Sequence, residues 1–270
     1  MMTVTFEKQV CLLTGASGGI GEAIARQLAN LGVSLILTGR NINKLGALVE
    51  SLPGQHTVVC ADLTLSEDMD NVVALCREKS VTMLINNAGV TETGSITTTS
   101  SNNIEAILRT NLLVPISLTQ RLIPILQRAS DAHIVNVGST FGSIGFAYHS
   151  LYCASKFGLR GFTESLMREY AGSGLHLHYF APRATETAIN SSQVMSMNKA
   201  LGNAVDDPND VAAMLVDMLN KKQRRRFVGF PEKLFVKING AFPAIVDMAL
   251  KKQLPTIQRY MKTRSEEKLS

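Results

Sequence analysis

The feature that most constrains this chain is a regular alternation of short, almost wholly apolar runs with longer amphipathic stretches. VCLLT (10–14), VSLILT (33–38), HTVVC (56–60), TMLIN (82–86), HIVNVG (133–138) and LHLHYF (175–180) each have strand length, and RRFVG (225–229) makes a seventh. Helical patterns lie between them at roughly 19–31, from near Asn43, from near Ser66, around 102–129 and around 151–171. A strand that is apolar on both faces must be covered on both. Parallel strands joined by helices achieve this. The expectation is an α/β fold, with one domain over residues 1–230 on a doubly wound parallel sheet of about seven strands. A helical extension at 231–270 should pack on that domain. No repeat, low-complexity stretch or linker divides the chain, and residues 184–205, rich in Met and small polar residues, read as its irregular part.

Composition narrows the class. The chain has 270 residues, 45% of them hydrophobic, which is enough for a well-buried core. Cys11, Cys60, Cys76 and Cys153 form no CxxC pair and sit in apolar or helical surroundings, so they read as reduced thiols in or near the core of a cytoplasmic protein. The N-terminal apolar run is too short for a signal peptide, and no run of membrane-spanning length occurs. The net charge is +5, from 27 basic and 22 acidic residues, with much of the excess in Lys221, Lys222, Arg224, Arg225 and Arg226. No nucleic-acid-reading motif or aromatic stacking pattern accompanies that run, so nucleic acid is not an expected partner. It reads as a helix C-terminus with cations against the dipole and a solvated face.

The first strand leads into Thr14-Gly15-Ala16-Ser17-Gly18-Gly19-Ile20-Gly21 and then a helix. Glycines there permit a tight turn and a close approach of backbone to a pyrophosphate, which the free N–H groups of the helix N-terminus can hold. Such a turn also occurs in ordinary strand-to-helix connections. Its place after the first strand is what favours dinucleotide binding. A carboxylate about 20 residues on would accept hydrogen bonds from a ribose 2′-hydroxyl. Residues 33–40 contain no acid and end on Arg40, whose guanidinium suits a 2′-phosphate instead, so NADP(H) is the expected cofactor. Ser17 can add a hydroxyl to the same region.

Tyr152 and Lys156 are four residues apart on an expected helix and so share a face. A free tyrosine, with a pKa near 10, is a poor acid–base group at neutral pH, and a neighbouring ammonium favours its phenolate. Ser139 ends the fifth strand, at the carboxyl edge where open α/β sheets bind ligands, and its hydroxyl can hydrogen-bond a substrate oxygen. Taken alone, the tyrosine and lysine would read as two solvated helix residues. The upstream serine and glycine turn make that reading weak.

With these residues together, the chain resembles the short-chain dehydrogenase/reductase family, in its compact single-domain branch with a Rossmann-type sheet. The resemblance rests on Thr14-Gly15-x-x-x-Gly19-x-Gly21, Asp62, Asn86-Asn87-Ala88-Gly89, Asn111, Ser139 and Tyr152-x-x-x-Lys156, in order over residues 8–190. It implies an oxidoreductase moving a hydride between nicotinamide and a carbonyl or alcohol. Tyr152 would be the acid–base group, Ser139 would hold the substrate oxygen, and Asn111 would retain a water in the proton path. Lys156 would lower the pKa of Tyr152 and bind the nicotinamide ribose. The cofactor set would comprise Gly15, Ser17, Gly19, Ile20, Gly21, Arg40, Asp62 with Leu63 at the adenine, Asn87, Ala88 and Gly89 on the adenosine side, then Tyr152, Lys156 and Thr187. Relatives form homodimers or homotetramers through the helices near 102–129 and 151–171. The glycines also fit the GxxGxxG spacing of the extended branch of epimerases and dehydratases, but the Asn-Asn-Ala-Gly segment and the limited length after the sixth strand argue against it. A non-catalytic dinucleotide sensor is the other alternative, and the intact Ser139, Tyr152 and Lys156 argue against that.

One departure stands out. Where the family has Pro-Gly after the sixth strand, this chain has Pro182-Arg183, although Thr187 keeps its spacing. No metal is expected: His176 and His178 share a strand face without further ligands, and His149 reads as a loop residue. The substrate is expected between 141–151 and 184–205, among Phe141, Ile144, Phe146, Met195 and Met197, which favours an apolar carbonyl compound. In the extension, LFVKINGAFPAIVDMAL lies between basic flanks. Gly240 and Pro243 interrupt a single amphipathic face, so burial of Leu234, Phe235, Ile238 and Phe242 against the body is the favoured reading and contact with a membrane surface the minority one.

Overall fold

A computed structural model describes residues 4–187 and 192–267, with side chains to residue 261. The parts of segments 184–205 and 231–270 that fall at 188–191 and 268–270 lie outside the described residues.

Seven strands run in the order β3-β2-β1-β4-β5-β6-β7, every neighbouring pair parallel. They are β1 (Val10–Thr14), β2 (Ser34–Gly39), β3 (Thr57–Cys60), β4 (Met83–Asn86), β5 (Ala132–Val137), β6 (Leu175–Ala181) and β7 (Arg225–Phe227). The helices are α1 (Gly19–Asn30), α2 (Ile42–Glu50), α3 (Ser66–Glu78), α4 (Ser101–Leu108), α5 (Val114–Leu126), α6 (Ser150–Glu169), α7 (Ser192–Ala200), α8 (Pro208–Asn220), α9 (Glu232–Ala241) and α10 (Pro243–Glu267). This is the doubly wound, Rossmann-type sheet expected from the strand pattern.

Alternation along the strands feeds two cores. Cys11, Leu13, Leu35, Leu37 and Ile85 meet α1, α2 and α8 through Ile24, Leu28, Leu45 and Leu215. Leu12, Ile36, Leu84 and Ile134 point the other way, to α3, α5 and α6 through Val72, Leu118, Leu122 and Met167. Each buried side chain of this size contributes about 1.5–3 kcal/mol.

Three local readings are corrected. The long helical region near 102–129 is not uniform, because Arg109–Leu113 form a π-helical turn in which the Val114 N–H donates to the Arg109 carbonyl. Pro115 follows and has no N–H with which to continue the regular ladder. The segment expected to be irregular contains α7, whose buried Val194, Met197 and Asn198 stand at helical spacing. Cys60 is exposed, while Cys11, Cys76 and Cys153 are buried free thiols.

The extension also departs from expectation. Leu234, Phe235 and Phe242 are exposed (45%, 39% and 64%), and Ile238 is only partly buried. Val236, Val246, Ile257 and Met261 bury instead, against Ile144, Phe146, Cys153 and Met197. The break between α9 and α10 falls at Phe242, with Pro243 opening the second helix as expected of a proline. No helix among the described residues is long and apolar enough to cross a membrane.

The basic run follows the C-terminus of α8 with Lys221, Arg224 and Arg225 exposed, as expected, but Arg225 and Arg226 lie in β7. It is taken up by ion pairs: Lys222 with Asp131 (2.6 Å), Arg225 with Glu164 (3.0 Å) and Arg226 with Asp217 (2.5 Å). The strand histidines join this region. His178 Nδ1 donates to the Gln223 carbonyl (2.7 Å), and His133 Nδ1 lies 3.1 Å from His178 Nε2. Burial holds both imidazoles neutral, with His178 pushed down to about 4 and His133 lowered too. An unfolded histidine titrates near 6.5, so between about pH 6.5 and 4 the unfolded chain binds more protons than the folded one. Stability is therefore full above that window and is lost as pH falls through it. Thermal melts should show Tm dropping between pH 7 and 5, His178 alone accounting for about 2 kcal/mol at pH 5. His178→Gln should flatten that slope, whereas an unchanged slope would remove this cluster as its cause.

Candidate active site

The carboxyl ends of β1 and β4 diverge at the point where strand order reverses, and side chains bridge the gap. Thr14 Oγ1 accepts from the backbone N–H groups of Asn87 and Ala88, both at 3.0 Å. Asn87 Nδ2 donates back to the Thr14 and Gly15 carbonyls, both at 3.1 Å. Gly15 has φ +63°, and a Cβ there would stand 2.8 Å from Ala88 Cα. A Cβ at Gly21 would sit 2.2 Å from the Gly15 carbonyl oxygen. The turn therefore closes only with glycine at these two places.

Above this crevice lies a cavity of about 790 Å³. Gly15, Ser17, Gly19, Ile20, Gly21, Arg40, Asp62, Leu63, Asn87, Ala88, Gly89, Ser139, Tyr152, Lys156 and Thr187 all line it, so the structure brings these expected site residues to one place. Ser17 lies against the end of β2, where a Cβ on Gly39 would be 3.3 Å from Ser17 Oγ, beside the exposed Arg40. Asp62 is held below the usual carboxylate range, first by hydrogen bonds from Thr64 (2.7 and 3.0 Å) and, more weakly, by Arg40. Among the described residues, Thr187 Oγ1 and Thr38 Oγ1 are buried without a hydrogen-bond partner, and both residues face this cavity. A phosphate-sized turn and unpaired hydroxyls along the wall fit a dinucleotide.

Asn111 is the exception, for it does not line the cavity. It is fully buried in the π-helical turn, accepts from Val90 N–H (2.8 Å) and donates to the Val90 carbonyl (2.8 Å) and Ser155 Oγ (3.1 Å). It thereby ties the chain after β4 to α6.

At the other end of the cavity, Ser139 accepts from the Phe141 N–H (3.1 Å). A Cβ on the preceding Gly138 would enter the ring of buried Tyr179, whose hydroxyl donates to the Ser139 carbonyl (3.3 Å). That close packing sets where Ser139 stands. Tyr152 keeps part of its surface open to the cavity, yet the protein packed around it pushes its phenol up to about 12, with a hydrogen bond from Ser139 opposing. Lys156 is buried, donates to the Val137 carbonyl (2.9 Å) and has its Nζ 5.7 Å from the Tyr152 ring centre. Burial brings it down to about 8. The shift at Tyr152 runs opposite to what a nearby ammonium alone would give, because burial of the phenol dominates and the opposing contribution comes from the Ser139 hydroxyl.

The substrate end is apolar. Phe141 stacks on Phe146 (4.8 Å between ring centres), and Ile144, Val194, Met197 and Leu201 complete that wall, whereas Met195 does not reach it. His149 stands in the loop before α6, as expected, but is buried in the wall, its Nδ1 donating to the Ala147 carbonyl (3.2 Å) and its Nε2 accepting from Thr93 Oγ1 (3.2 Å). Phe235, Val246 and Leu250 bring the extension into the lining. Periodicity could not have shown this, because nothing in the pattern says where α9 and α10 return.

Residues 9–198 match the family of short chain dehydrogenases, and the chain belongs to that family of nicotinamide-dependent oxidoreductases acting on small molecules. Among its relatives, a 3-oxoacyl-[acyl-carrier-protein] reductase of Rickettsia bellii is 36% identical over 174 residues, 64% of this chain and 71% of the relative. The dehydrogenase/reductase SDR family member 7B of Danio rerio is 30% identical over 258 residues, 88% and 83% respectively. A short-chain dehydrogenase from Sphingobium yanoikuyae, solved in complex with NADPH, superposes with TM-score 0.76 at 24% identity, covering 88% of this chain and 95% of that one.

Arg183, the departure noted above, has a structural use. Its Nε and Nη2 donate to the two carboxylate oxygens of Asp206 (2.9 and 2.7 Å), and Nη1 donates to Glu232 (3.1 Å). The backbone pairs there as well, Glu186 N–H to the Asp206 carbonyl and Asp206 N–H to the Ala184 carbonyl. One guanidinium thus joins the end of β6, the far end of the 184–206 segment and the start of α9. Arg183→Gly would leave two partly buried carboxylates unpaired, at about 2 kcal/mol. Scanning calorimetry should show Tm lowered by roughly 4–8 °C. A variant melting with the parent would mean that the clamp contributes nothing.

Proposed function

We propose that this protein is an NADP(H)-dependent reductase of apolar carbonyl compounds in which Tyr152 supplies the proton. The observation that carries the reading is the convergence of Ser139, Tyr152 and Lys156 on the apolar end of a cavity whose other end is the glycine turn. The cofactor, when bound, supplies or accepts the hydride. Gly15, Ser17, Gly19, Ile20 and Gly21 would hold its pyrophosphate, Arg40 with Ser17 its 2′-phosphate, and Asp62, Leu63, Asn87, Ala88 and Gly89 the adenosine. Thr187 and Lys156 would meet the nicotinamide end.

The chain's own residues then divide the work. Ser139 donates a hydrogen bond to the substrate oxygen and orients it. The raised phenol of Tyr152 is protonated at neutral pH, so it can hand a proton to the oxygen as negative charge develops there. The Lys156 ammonium would favour the phenolate left on Tyr152 and hold the nicotinamide ribose. Asn111 acts through its ties to Val90 and Ser155, holding the route by which a water could restore the proton. Phe141, Ile144, Phe146 and Met197 exclude bulk water from the reacting centre.

Exposed Leu113 and Phe157, on the helices expected to associate, support a homodimer or homotetramer. The buried free thiols of Cys11, Cys76 and Cys153 support a cytoplasmic setting.

The test is NADPH oxidation over a carbonyl panel running from short aldehydes to long-chain and cyclic ketones. Tyr152→Phe should bind NADPH like the parent while losing about 10²–10⁴-fold in turnover. Substantial turnover in that variant would overturn the proton assignment. For the cofactor, NADPH should bind more tightly than NADH, and Arg40→Ala should shrink the preference by roughly ten- to a hundredfold, a charge-assisted contact being worth about 1.5–3 kcal/mol. Equal affinities in the parent would sink the NADP reading.

A further inference from the structure

Two of the four side chains that the sequence pattern assigned to the buried face of the extension, Leu234 and Phe242, lie on its outside, whereas Phe235 reaches the cavity and Ile238 packs against Val236 and Val246. Leu234 and Phe242 at α9, with Ile245 (51%) and Met248 (63%) on α10, are all exposed. Positions 245, 248 and 252 fall on one side of α10 at helical spacing, so apolar surface runs directly into Lys252. Lys233, Lys237 and Lys251 are exposed on the same two helices, while Glu232 is taken up by Arg183 and Asp247 is the one other acid in 230–252. The two helices thus present several large exposed apolar side chains with exposed lysines interspersed.

Contiguous apolar surface of this kind marks a contact face. The charge around it selects the occupant. Apolar side chains that can enter the acyl boundary, flanked by lysines that reach phosphates, suit a helix lying in the headgroup layer of an anionic bilayer. We propose that the outer face of the α9–α10 hairpin docks on an anionic membrane surface. Phe242, Ile245 and Met248 enter the apolar boundary, and the lysines pair with lipid phosphates. The opposite side of the same helices supplies Phe235, Val246 and Leu250 to the cavity wall. Resting on the function proposed above, docking would let an apolar substrate pass between lipid and the cavity with little exposure to water.

The test uses the full chain and does not depend on turnover. Sedimentation is measured with vesicles of phosphatidylcholine alone or mixed with phosphatidylglycerol, at low and high salt, and the lipid-free oligomeric state by analytical ultracentrifugation. The parent should sediment with the phosphatidylglycerol vesicles and be released by salt. Lys251→Gln with Lys252→Gln should weaken binding by roughly fivefold per lysine. Phe242→Asp with Met248→Asp should weaken it by roughly tenfold or more, with Tm and NADPH binding unchanged, since neither residue lines the cavity. Absence of parent binding to phosphatidylglycerol vesicles, or equal, salt-insensitive binding to neutral ones, would overturn the proposal. So would a lipid-free oligomer that dissociates in the Phe242/Met248 variant, because the face would then be an interface between copies of this chain. Vesicle binding without carbonyl reduction would keep the docking and remove only the functional reading on which the substrate route rests.

Discussion

The hydrogen bonds between Thr14 and Asn87 hold the place on which the molecule depends. In a parallel sheet the chain leaving β1 turns to one layer of helices and the chain leaving β4 to the other, so their carboxyl ends must separate. That separation strips backbone N–H and C=O groups of their strand partners. The Thr14 hydroxyl accepts two of the N–H groups, and the Asn87 amide donates to two of the carbonyls. A split in the sheet that would otherwise bury unpaired polar groups becomes a rigid, open crevice. The glycine turn, the adenosine side and, through Asn111 and Ser155, the helix bearing Tyr152 are all referenced to it.

Burial governs the electrostatics of the other end. Tyr152 and Lys156 are each pushed toward their neutral forms by burial. Such a site gives little to a ground-state charge and much to a charge that appears during reaction, because the fixed donors are already oriented and little water competes. Tyr179 beneath Ser139 shows how this orientation is obtained: Gly138 leaves the room the ring fills, and the ring's hydroxyl anchors the Ser139 carbonyl. Arg183 acts at a larger scale, joining the end of β6 to α9 where a glycine could join nothing.

What the sequence by itself determined follows from local periodicity and from residues whose chemistry admits few uses. Doubly apolar strands imply a two-layered parallel sheet wherever they occur, and Gly15 to Gly21, Arg40, Ser139, Tyr152 and Lys156 could be placed on strand ends, turns and one helix face by spacing alone. Tertiary structure decided what spacing does not contain. Helical spacing at Val194, Met197 and Asn198 was present but obscured by small polar neighbours, so α7 emerged only where Met197 meets Ile257 and Phe146. Periodicity identifies a helix without saying which of its faces finds a partner. Val236 and Val246 found Ile144 with Ile238 beside them, while Leu234 and Phe242 stayed exposed, so only part of the face expected to be buried is buried. The direction of a pKa shift likewise depends on desolvation by residues distant in sequence, which is why Tyr152 moved up where its nearest cation alone would have moved it down.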